Sequence, residues 1–330
     1  MIKVYFKNVQ QGDSIIIEWD KDDKKSYGII DCNKVKDRNP IVEHIANNGI
    51  KEIEFIILSH LHLDHFSGMA ELFTYCMNNS IRVNYFYHTI GSFYNEVYDN
   101  IFTDQKLKVG LENFFLTLDQ FDYHILDSIQ IDSTRPKIEL SQSYSLKFLA
   151  PQGKLYKEIS RKLSHKKIFE TESKIDINEL STIISIENNT QCFLLTSDAV
   201  KRNFKKLRRT IKKELILVQV PHHGSKANLD KPFWMKLIKR NNCPAIFSVG
   251  DEPKDRLPNE ETVEFFDTNG YDIYSTNSVY GINTYFRKSE PYKPNTVMDE
   301  YSTFKKVINK NIPLEVPNYK HIGDKQFSLL

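Results

Sequence analysis

The sequence predicts an α/β chain of the α+β type, a four-layer αββα sandwich with its chemistry at one edge of the sheets. Three observations carry that expectation. Short β-rich runs alternate with amphipathic stretches in two βα-rich halves. The run Ile53-Glu-Phe-Ile-Ile-Leu58 is apolar nearly without interruption, as a strand covered on both faces must be. Polar, chemically able residues gather where such strands end.

In chain order, residues 3–6, 14–18 and 26–30 read as an antiparallel meander, punctuated by Gly12-Asp13 and by the polar stretch 20–25. A helix follows at about 39–48, with Val42, Ile45 and Ala46 on one face. The buried strand 53–58 ends in Ser59-His60. Residues 64–77 are helical in character, and 81–87 form a further strand ending at His88. Residues 90–130 are aromatic-rich and mixed, with a helix over 108–121 and loops. Strands are expected at 145–150, 182–187 and 192–195, and the charged stretch 154–176 between them is an excursion from the core. The second half continues with helix 200–213, strand 215–220, helix 232–240, strand 245–249, helix 260–269 and closing strands at 272–274 and 281–286. These elements make one domain over 1–287. From 288 to 330 the chain is polar and proline-dotted, a C-terminal extension with one short helix at 299–309. No internal repeat of solenoid period is present.

Composition excludes more than it assigns. With 330 residues, 40% apolar and 12% aromatic, the chain can bury a full core. Lys plus Arg number 45 against 43 for Asp plus Glu, so the net charge of +2 implies neither nucleic acid nor membrane, and any such argument rests on where charges cluster. Cys32, Cys76, Cys192 and Cys243 stand far apart without a Cys-x-x-Cys pair, which fits buried thiols in a reducing compartment. The N-terminus enters a strand at once, without the basic start and long apolar stretch of a signal peptide, and no apolar run approaches the ~20 residues that a bilayer requires. A soluble, cytoplasmic protein without membrane partners is expected.

The segment Ser59-His60-Leu61-His62-Leu63-Asp64-His65 sets three imidazoles and a carboxylate directly after a buried strand. Zinc and similar cations take imidazole nitrogen and carboxylate oxygen at ~2.0–2.2 Å, and a catalytic site keeps one position open for water. His60 and His62 at a strand end can chelate one ion. Asp64 and His65, one turn onward, point toward a neighbouring position, so the loop can serve two metals. The bland alternative is a histidine-rich turn that binds nothing in particular.

His-x-His-x-Asp-His is the signature of the metallo-β-lactamase superfamily, and four further segments resemble one branch of it, the hydrolase domain of the bacterial competence DNA-uptake channel ComEC. These are Val9-Gln-Gln-Gly-Asp-Ser14 with Ile29-Ile-Asp31, Asn178-Glu-Leu-Ser181, Leu194-Leu-Thr-Ser-Asp198-Ala199, and Val220-Pro-His222-His223-Gly-Ser225. The resemblance spans about residues 3–286 and lacks the channel's membrane part, so it implies a stand-alone relative. It implies that Asp198 bridges two metals; its bland alternative is a helix N-cap. It also implies that the last histidine ligand lies at His222-His223. His223 is preferred as ligand and His222 as an outer or proton-donating residue, because neighbours on a continuing strand point apart. Two departures matter. The histidine that the branch carries near residues 148–151 is replaced by Ala150, and its late Gly-His-Pro appears as Arg256-Leu257-Pro258. The first metal is then left with His60, His62 and Asp198 unless His88 substitutes, and fewer than two tightly held ions are expected. His88 is otherwise an ordinary core or surface histidine. The cofactor is one or two ions of Zn²⁺ or Mn²⁺.

Directly after Asp198, the predicted helix 200–213 places Lys201, Lys205, Arg208 and Lys212 beside Arg202, Lys206, Arg209 and Lys213 in two rows, with Val200, Phe204, Leu207 and Ile211 as its buried stripe. Cations at i,i+4 without carboxylates repel one another, an arrangement that favours a polyanionic partner over a merely solvated face. The expected function is metal-assisted hydrolysis, with Asp64 orienting or deprotonating water and His222 or Ser225 donating to the leaving group. A phosphodiesterase or nuclease acting on nucleic acid or nucleotides is the leading expectation. The alternatives are a carbonyl hydrolase for lactones or thioesters, and a metal-binding subunit of a larger assembly docked through 288–330. By family analogy alone, that assembly could be an antiphage one.

Overall fold

The computed structural model describes residues 1–90, 105–121, 125–155, 157–158, 176–207, 210–250, 257–277, 279, 281–282, 285–286, 312–314 and 327–329. Its strands are β1 (Ile2–Phe6), β2 (Ser14–Lys21), β3 (Lys24–Cys32), β4 (Glu52–Leu58), β5 (Arg82–His88), β6 (Ile125–Gln130), β7 (Ile138–Glu139), β8 (Ser145–Ala150), β9 (Ile183–Glu187), β10 (Gln191–Leu195), β11 (Glu214–Gln219), β12 (Cys243–Phe247), β13 (Tyr271–Ser275), β14 (Ile312–Leu314) and β15 (Phe327–Leu329). They form two sheets, one ordered β14-β1-β2-β3-β4-β5-β6 with β15 also on β1, the other β13-β12-β11-β10-β9-β8-β7. In the first, β1, β2 and β3 are antiparallel and β3 through β6 parallel. In the second, β7 through β10 are antiparallel and β10 through β13 parallel.

Three apolar clusters define four layers. Ile15, Ile17, Trp19, Phe55 and Ile57 of the first sheet meet Phe148, Ile184, Phe193 and Ile216 of the second. On the outer face of the first sheet lie helices α1 (Pro40–Asn47), α2 (Leu63–Phe66), α3 (Met69–Asn78) and α4 (Gln105–Phe121), which bury Ile41, Phe66, Phe73 and Phe114 against Ile16, Ile29 and Ile56. On the outer face of the second lie α5 (Lys201–Leu207), α6 (Lys231–Trp234) and α7 (Glu260–Thr268), burying Phe204, Trp234 and Phe266 against Leu194, Val218 and Phe247. The expected αββα sandwich is therefore the observed fold, and its packing explains the unbroken apolar run of β4, sandwiched between the first two clusters.

The structure corrects several element boundaries. The helix expected over 64–77 is two, broken where the Gly68 amide donates to the Cys32 carbonyl at 2.8 Å. A Cβ on Gly68 would lie 2.8 Å from Asn39 Nδ2 and 3.0 Å from the Cys32 carbonyl of β3, so a side chain here would force its neighbours to shift. β6 and β7 were not expected, their short mixed sequences lacking a clear period. Residues 281, 282, 285 and 286 are helical rather than a closing strand, and Gly281 presses on Pro258, where a Cβ would meet the carbonyl at 1.9 Å. The helix expected over 232–240 is reduced to the four residues of α6. Most of the stretch 154–176 and the expected helix 299–309 lie outside the described residues. Of the C-terminal extension, Ile312–Leu314 and Phe327–Leu329 pair antiparallel with β1.

The basic helix is also shorter than expected. α5 is described as far as Leu207, and by Thr210 the chain has left the helix on its way into β11, whose Glu214 aligns with Gln191 of β10. Lys213 is drawn into a contact with Glu187 at 2.9 Å, and Lys147 meets the same carboxylate. Burial opposes the Glu187 charge, yet the bonds from Lys147, Lys213 and Ser185 hold its carboxyl below the usual glutamate value. Arg202 meets Glu158 and Glu179, each at 3.0 Å. These two cations therefore have acidic partners from distant elements. Lys201, Lys205, Lys206 and Lys212 are exposed, and Arg208 and Arg209 lie outside the described residues.

Candidate metal centre

The ends of β4, β10 and β11 meet at one edge of the sandwich and deliver the site. After β4, the turn carrying His60 and His62 leads into α2, whose first turn presents Asp64 and His65. After β10, Thr196 and Ser197 lead to Asp198, with Ser197 at φ 44°. After β11, His222 and His223 adopt consecutive left-handed conformations, φ 46° and 53°. A pair of non-glycine residues held there is strained by roughly 1–3 kcal/mol each, which is tolerated where the surroundings fix a functional geometry. The strand stops at Gln219, so the two rings are not set on opposite faces.

Two half-sites result. Asp64, His65, Asp198 and His223 bring ligand atoms within 4.8 Å of one another, and so do His60, His62 and Asp198. Asp198 belongs to both. Its Oδ1 lies 3.4 Å from His65 Nε2 and 3.4 Å from His223 Nε2. Its Oδ2 lies 3.7 Å from His60 Nε2 and 3.5 Å from His222 Nε2. Asp64 Oδ2 stands 3.3 Å from His223 Nε2 and 3.9 Å from His65 Nε2. Most of these separations are too long for good hydrogen bonds. Four of the six, at 3.3–3.5 Å, match the ~3.3–3.6 Å edge of a tetrahedron with 2.0–2.2 Å bonds, and the other two, 3.7 and 3.9 Å, are slightly longer. His60 Nε2, His65 Nε2, His223 Nε2 and Asp198 Oδ1 are buried without a hydrogen-bond partner. Orphaned buried polar atoms cost about 1–3 kcal/mol each; a cation among His65, His223 and Asp198 Oδ1 would satisfy three of them, and one beside His60 and His62 the fourth. The cluster thus fits metal ions in number, donor type and spacing.

The electrostatics agree. Burial disfavours a proton on His60 and on His62 and lowers both pKa values, keeping the imidazoles neutral as ligands require. Burial also opposes charge on His223, but Asp198 and Asp64 push it up to about 9. Burial works against the Asp198 carboxylate as well, yet His223, His65 and His222 hold it well below the usual range. Asp198 and Asp64 likewise raise the His65 pKa against burial, so His65 and His223 favour protons that balance the carboxylates.

Further polar groups hold the histidines. Asp31 Oδ2 receives His65 Nδ1 at 2.8 Å and the Ser59 hydroxyl at 2.6 Å, while Oδ1 accepts from the Ser59 amide at 2.7 Å. Ser59 Oγ lies 3.1 Å from His60 Nδ1, so one carboxylate steadies histidines of both half-sites. His223 Nδ1 faces the Ser248 carbonyl at 2.7 Å. Gln219 Oε1 accepts from the amides of Thr196 and Ser197, and its Nε2 donates to Asp13. That bracket fixes the loop bearing Asp198. Gly12 has φ 121°, and a Cβ there would lie 2.1 Å from the Asp64 carbonyl. The sequence motifs assign no role to Gln219, Ser59 or Ser248. Only Asp31, a carboxylate ending a buried strand, carried a local signal.

Of the residues expected at the site, His60, His62, Asp64, His65, Asp198, His222 and His223 converge. Ser225 sits on the same turn, partly buried, its amide donating to the His222 carbonyl at 2.8 Å. His88 does not join: parallel pairing sets it beside Leu58, and its Nε2 lies 3.1 Å from Ser128 Oγ, outside both half-sites. Ala150 is packed in the apolar cluster outside the second sheet, so no imidazole enters from that strand end.

Fold and site together define a metallo-β-lactamase-type sandwich with a histidine–aspartate metal cluster. The family model of the metallo-beta-lactamase superfamily matches residues 19–110, the segment that carries His60, His62, Asp64 and His65, and so supports that placement. No curated protein matches the chain. Among solved structures, the metallo-beta-lactamase fold protein YhfI from Bacillus subtilis is similar at 9% identity and TM-score 0.46, covering 85% of this chain and 98% of its own. A diphosphatase of the PhnP family is similar at 10% and 0.43, covering 100% and 98%. The short form of human tRNase Z is similar at 13% and 0.36, covering 66% and 77%. The fold assignment rests on the layers and the motif rather than on these distant likenesses. Among the described residues, no helix is long and apolar enough to cross a membrane.

Proposed function

We propose that the chain is a metal-dependent hydrolase of phosphodiesters, acting on nucleic acid or nucleotides with Zn²⁺ or Mn²⁺. The observation that carries this reading is Asp198, whose two oxygens each face a separate set of imidazoles. When bound in such a pair of half-sites, divalent ions lower the pKa of water toward ~7 and draw charge from phosphoryl oxygens. The protein's own part is positional. Asp64, one-third exposed and pointing at His223, can orient a water and accept its proton. Ser225 can relay a proton to the leaving oxygen. Lys201, Lys205 and Lys206 begin three residues after Asp198 and stand exposed, available to a phosphate chain.

The ion pairs of Arg202 and Lys213 lend some support to the rival carbonyl-hydrolase reading, since they leave fewer cations than the sequence suggests. A charge reversal separates the two. Lys201→Glu, Lys205→Glu and Lys206→Glu together leave Phe204 and Leu207 in place, so folding should be spared. Nucleic-acid binding should weaken at least tenfold at ~50 mM salt, and its dependence on salt between ~50 and ~200 mM should flatten. Cleavage of bis(p-nitrophenyl) phosphate, too short to reach α5, should stay near wild type. Equal effects on both substrates would make the helix a solvated face and remove the nucleic-acid part of the reading.

A further inference from the structure

We infer that the Gly12-Asp13 turn is a positioning element for the larger half-site, locking the two sheets together at the metal centre through Gln219 and Ser248. The inference rests on the metal-centre reading above and names what holds its ligands in register.

The half-site of Asp64, His65, Asp198 and His223 straddles the sandwich. Asp64 and His65 follow β4 of the first sheet, whereas Asp198 and His223 follow β10 and β11 of the second. A metal site tolerates errors of only about 0.2 Å in its ligand distances. The apolar cluster between the sheets is non-directional and sets no such register by itself. Directional bonds across the gap supply it, and they converge on the two residues that lead into β2.

Gln219 ends β11. Its Oε1 accepts from the amides of Thr196 and Ser197, at 2.9 and 3.0 Å, just ahead of Asp198, and its Nε2 donates to Asp13 Oδ2 at 2.8 Å. Ser248 follows β12. Its carbonyl faces His223 Nδ1 at 2.7 Å, and its hydroxyl donates to the Gly12 carbonyl at 2.7 Å. The Asp13 amide in turn donates to the Asp64 carbonyl at 3.1 Å. Three ligand-bearing loops, those of Asp64, Asp198 and His223, thus meet at one turn. Asn33 fastens that turn to the end of β3, its amide donating to the Asp13 carbonyl at 3.2 Å and its side chain to the Gln11 carbonyl at 2.6 Å. Asp13, Gln219 and Ser248 are all buried, so water does not compete for these bonds. Asp13 Oδ2 also lies 3.7 Å from His65 Nδ1, but Asp31 takes that nitrogen at 2.8 Å. Asp13 therefore acts through the loops.

The smaller half-site has cross-sheet bonds of its own. The Ser197 hydroxyl donates to the Ser59 hydroxyl at 2.8 Å, and Thr182 donates its amide and hydroxyl to the Ser59 carbonyl at 3.2 and 3.1 Å. These bonds adjoin Asp198 and His60. A disturbance at Asp13 should consequently fall on the ion of the larger half-site and spare the other.

The test uses the full chain, stripped with a chelator and titrated with Co²⁺, whose visible absorption reports coordination. His223→Ala and His62→Ala identify the spectral components of the larger and smaller half-sites. Gln219→Glu keeps an acceptor for the Thr196 and Ser197 amides but turns a second carboxylate toward Asp13. It should weaken the His223-dependent ion about 10–100-fold and leave the His62-dependent ion near wild type. Ser248→Ala keeps the carbonyl behind His223, loses only the bond to Gly12, and should weaken the same ion. Gln219→Glu combined with Asp13→Asn exchanges donor and acceptor and rebuilds the bond. That pair should return most of the lost affinity, a rescue that a folding defect would not show. Wild-type affinity in Gln219→Glu and Ser248→Ala, equal weakening of both ions, or no recovery in the double variant would overturn the inference while leaving the metal centre standing. A wild-type chain that takes no ion, or none that depends on His223, would remove the larger half-site itself and the inference with it.

Discussion

Replacing Asp198 with Asn should remove both bound ions and cut phosphodiester hydrolysis by three orders of magnitude or more, a loss of roughly 4 kcal/mol of transition-state stabilisation. Among the described residues no other side chain belongs to both half-sites, and Oδ1 faces His65 and His223 while Oδ2 faces His60 and His222. An amide of the same shape keeps the packing and the Asn228 contact to the residue's backbone carbonyl, yet it gives up the charge that balances two cations. The metal-free variant should fold. Elemental analysis, together with turnover of bis(p-nitrophenyl) phosphate, reads the result. A variant that retained either ion tightly would show that the half-sites are independent of the bridge.

Asp64→Ala should be the second large effect, abolishing turnover to within background while leaving the melting temperature within a few degrees of wild type. Asp64 lies in the first turn of α2 with its side chain one-third exposed, so truncation opens no cavity in the core. Burial opposes the charge, yet His65 and His223 hold the Asp64 carboxyl below the usual range, so it stands ionised, ready to hold a cation or to orient a water. His62→Ala should behave alike, its ring being part of the other half-site. Full activity in both variants with metal present would refute the catalytic assignment. Loss of one activity alone would show which half-site does the chemistry.

How much of this was legible in the sequence follows from how local each feature is. The run of apolar residues in β4 and the His-x-His-x-Asp-His turn behind it are contiguous, and they gave the buried strand and the ligand loop at once. Asp198 and the histidine pair could be placed only because Leu194–Ala199 and Val220–Ser225 resemble family segments, each following an apolar strand. What lay beyond reach was tertiary. The left-handed turn that brings His222 to Asp198 depends on the Ser197 carbonyl and on the strand stopping at Gln219. The carboxylates that pair with Arg202 and Lys213 come from 23 to 44 residues away, so a reading of i,i+4 spacing alone overstated the free charge on α5. Gln219 reads as one polar residue in an apolar strand, and only the fold shows it bracketing the Asp198 loop against Asp13.

The central claim, a phosphodiester hydrolase whose two half-sites share Asp198, is tested most directly by metal titration of activity. Chelator-stripped protein should be inactive on bis(p-nitrophenyl) phosphate, stay nearly so after one equivalent of Zn²⁺ or Mn²⁺, and gain turnover as the second equivalent binds. Activity in the stripped protein, or none at any metal loading on this substrate and on nucleic acid alike, would contradict the account.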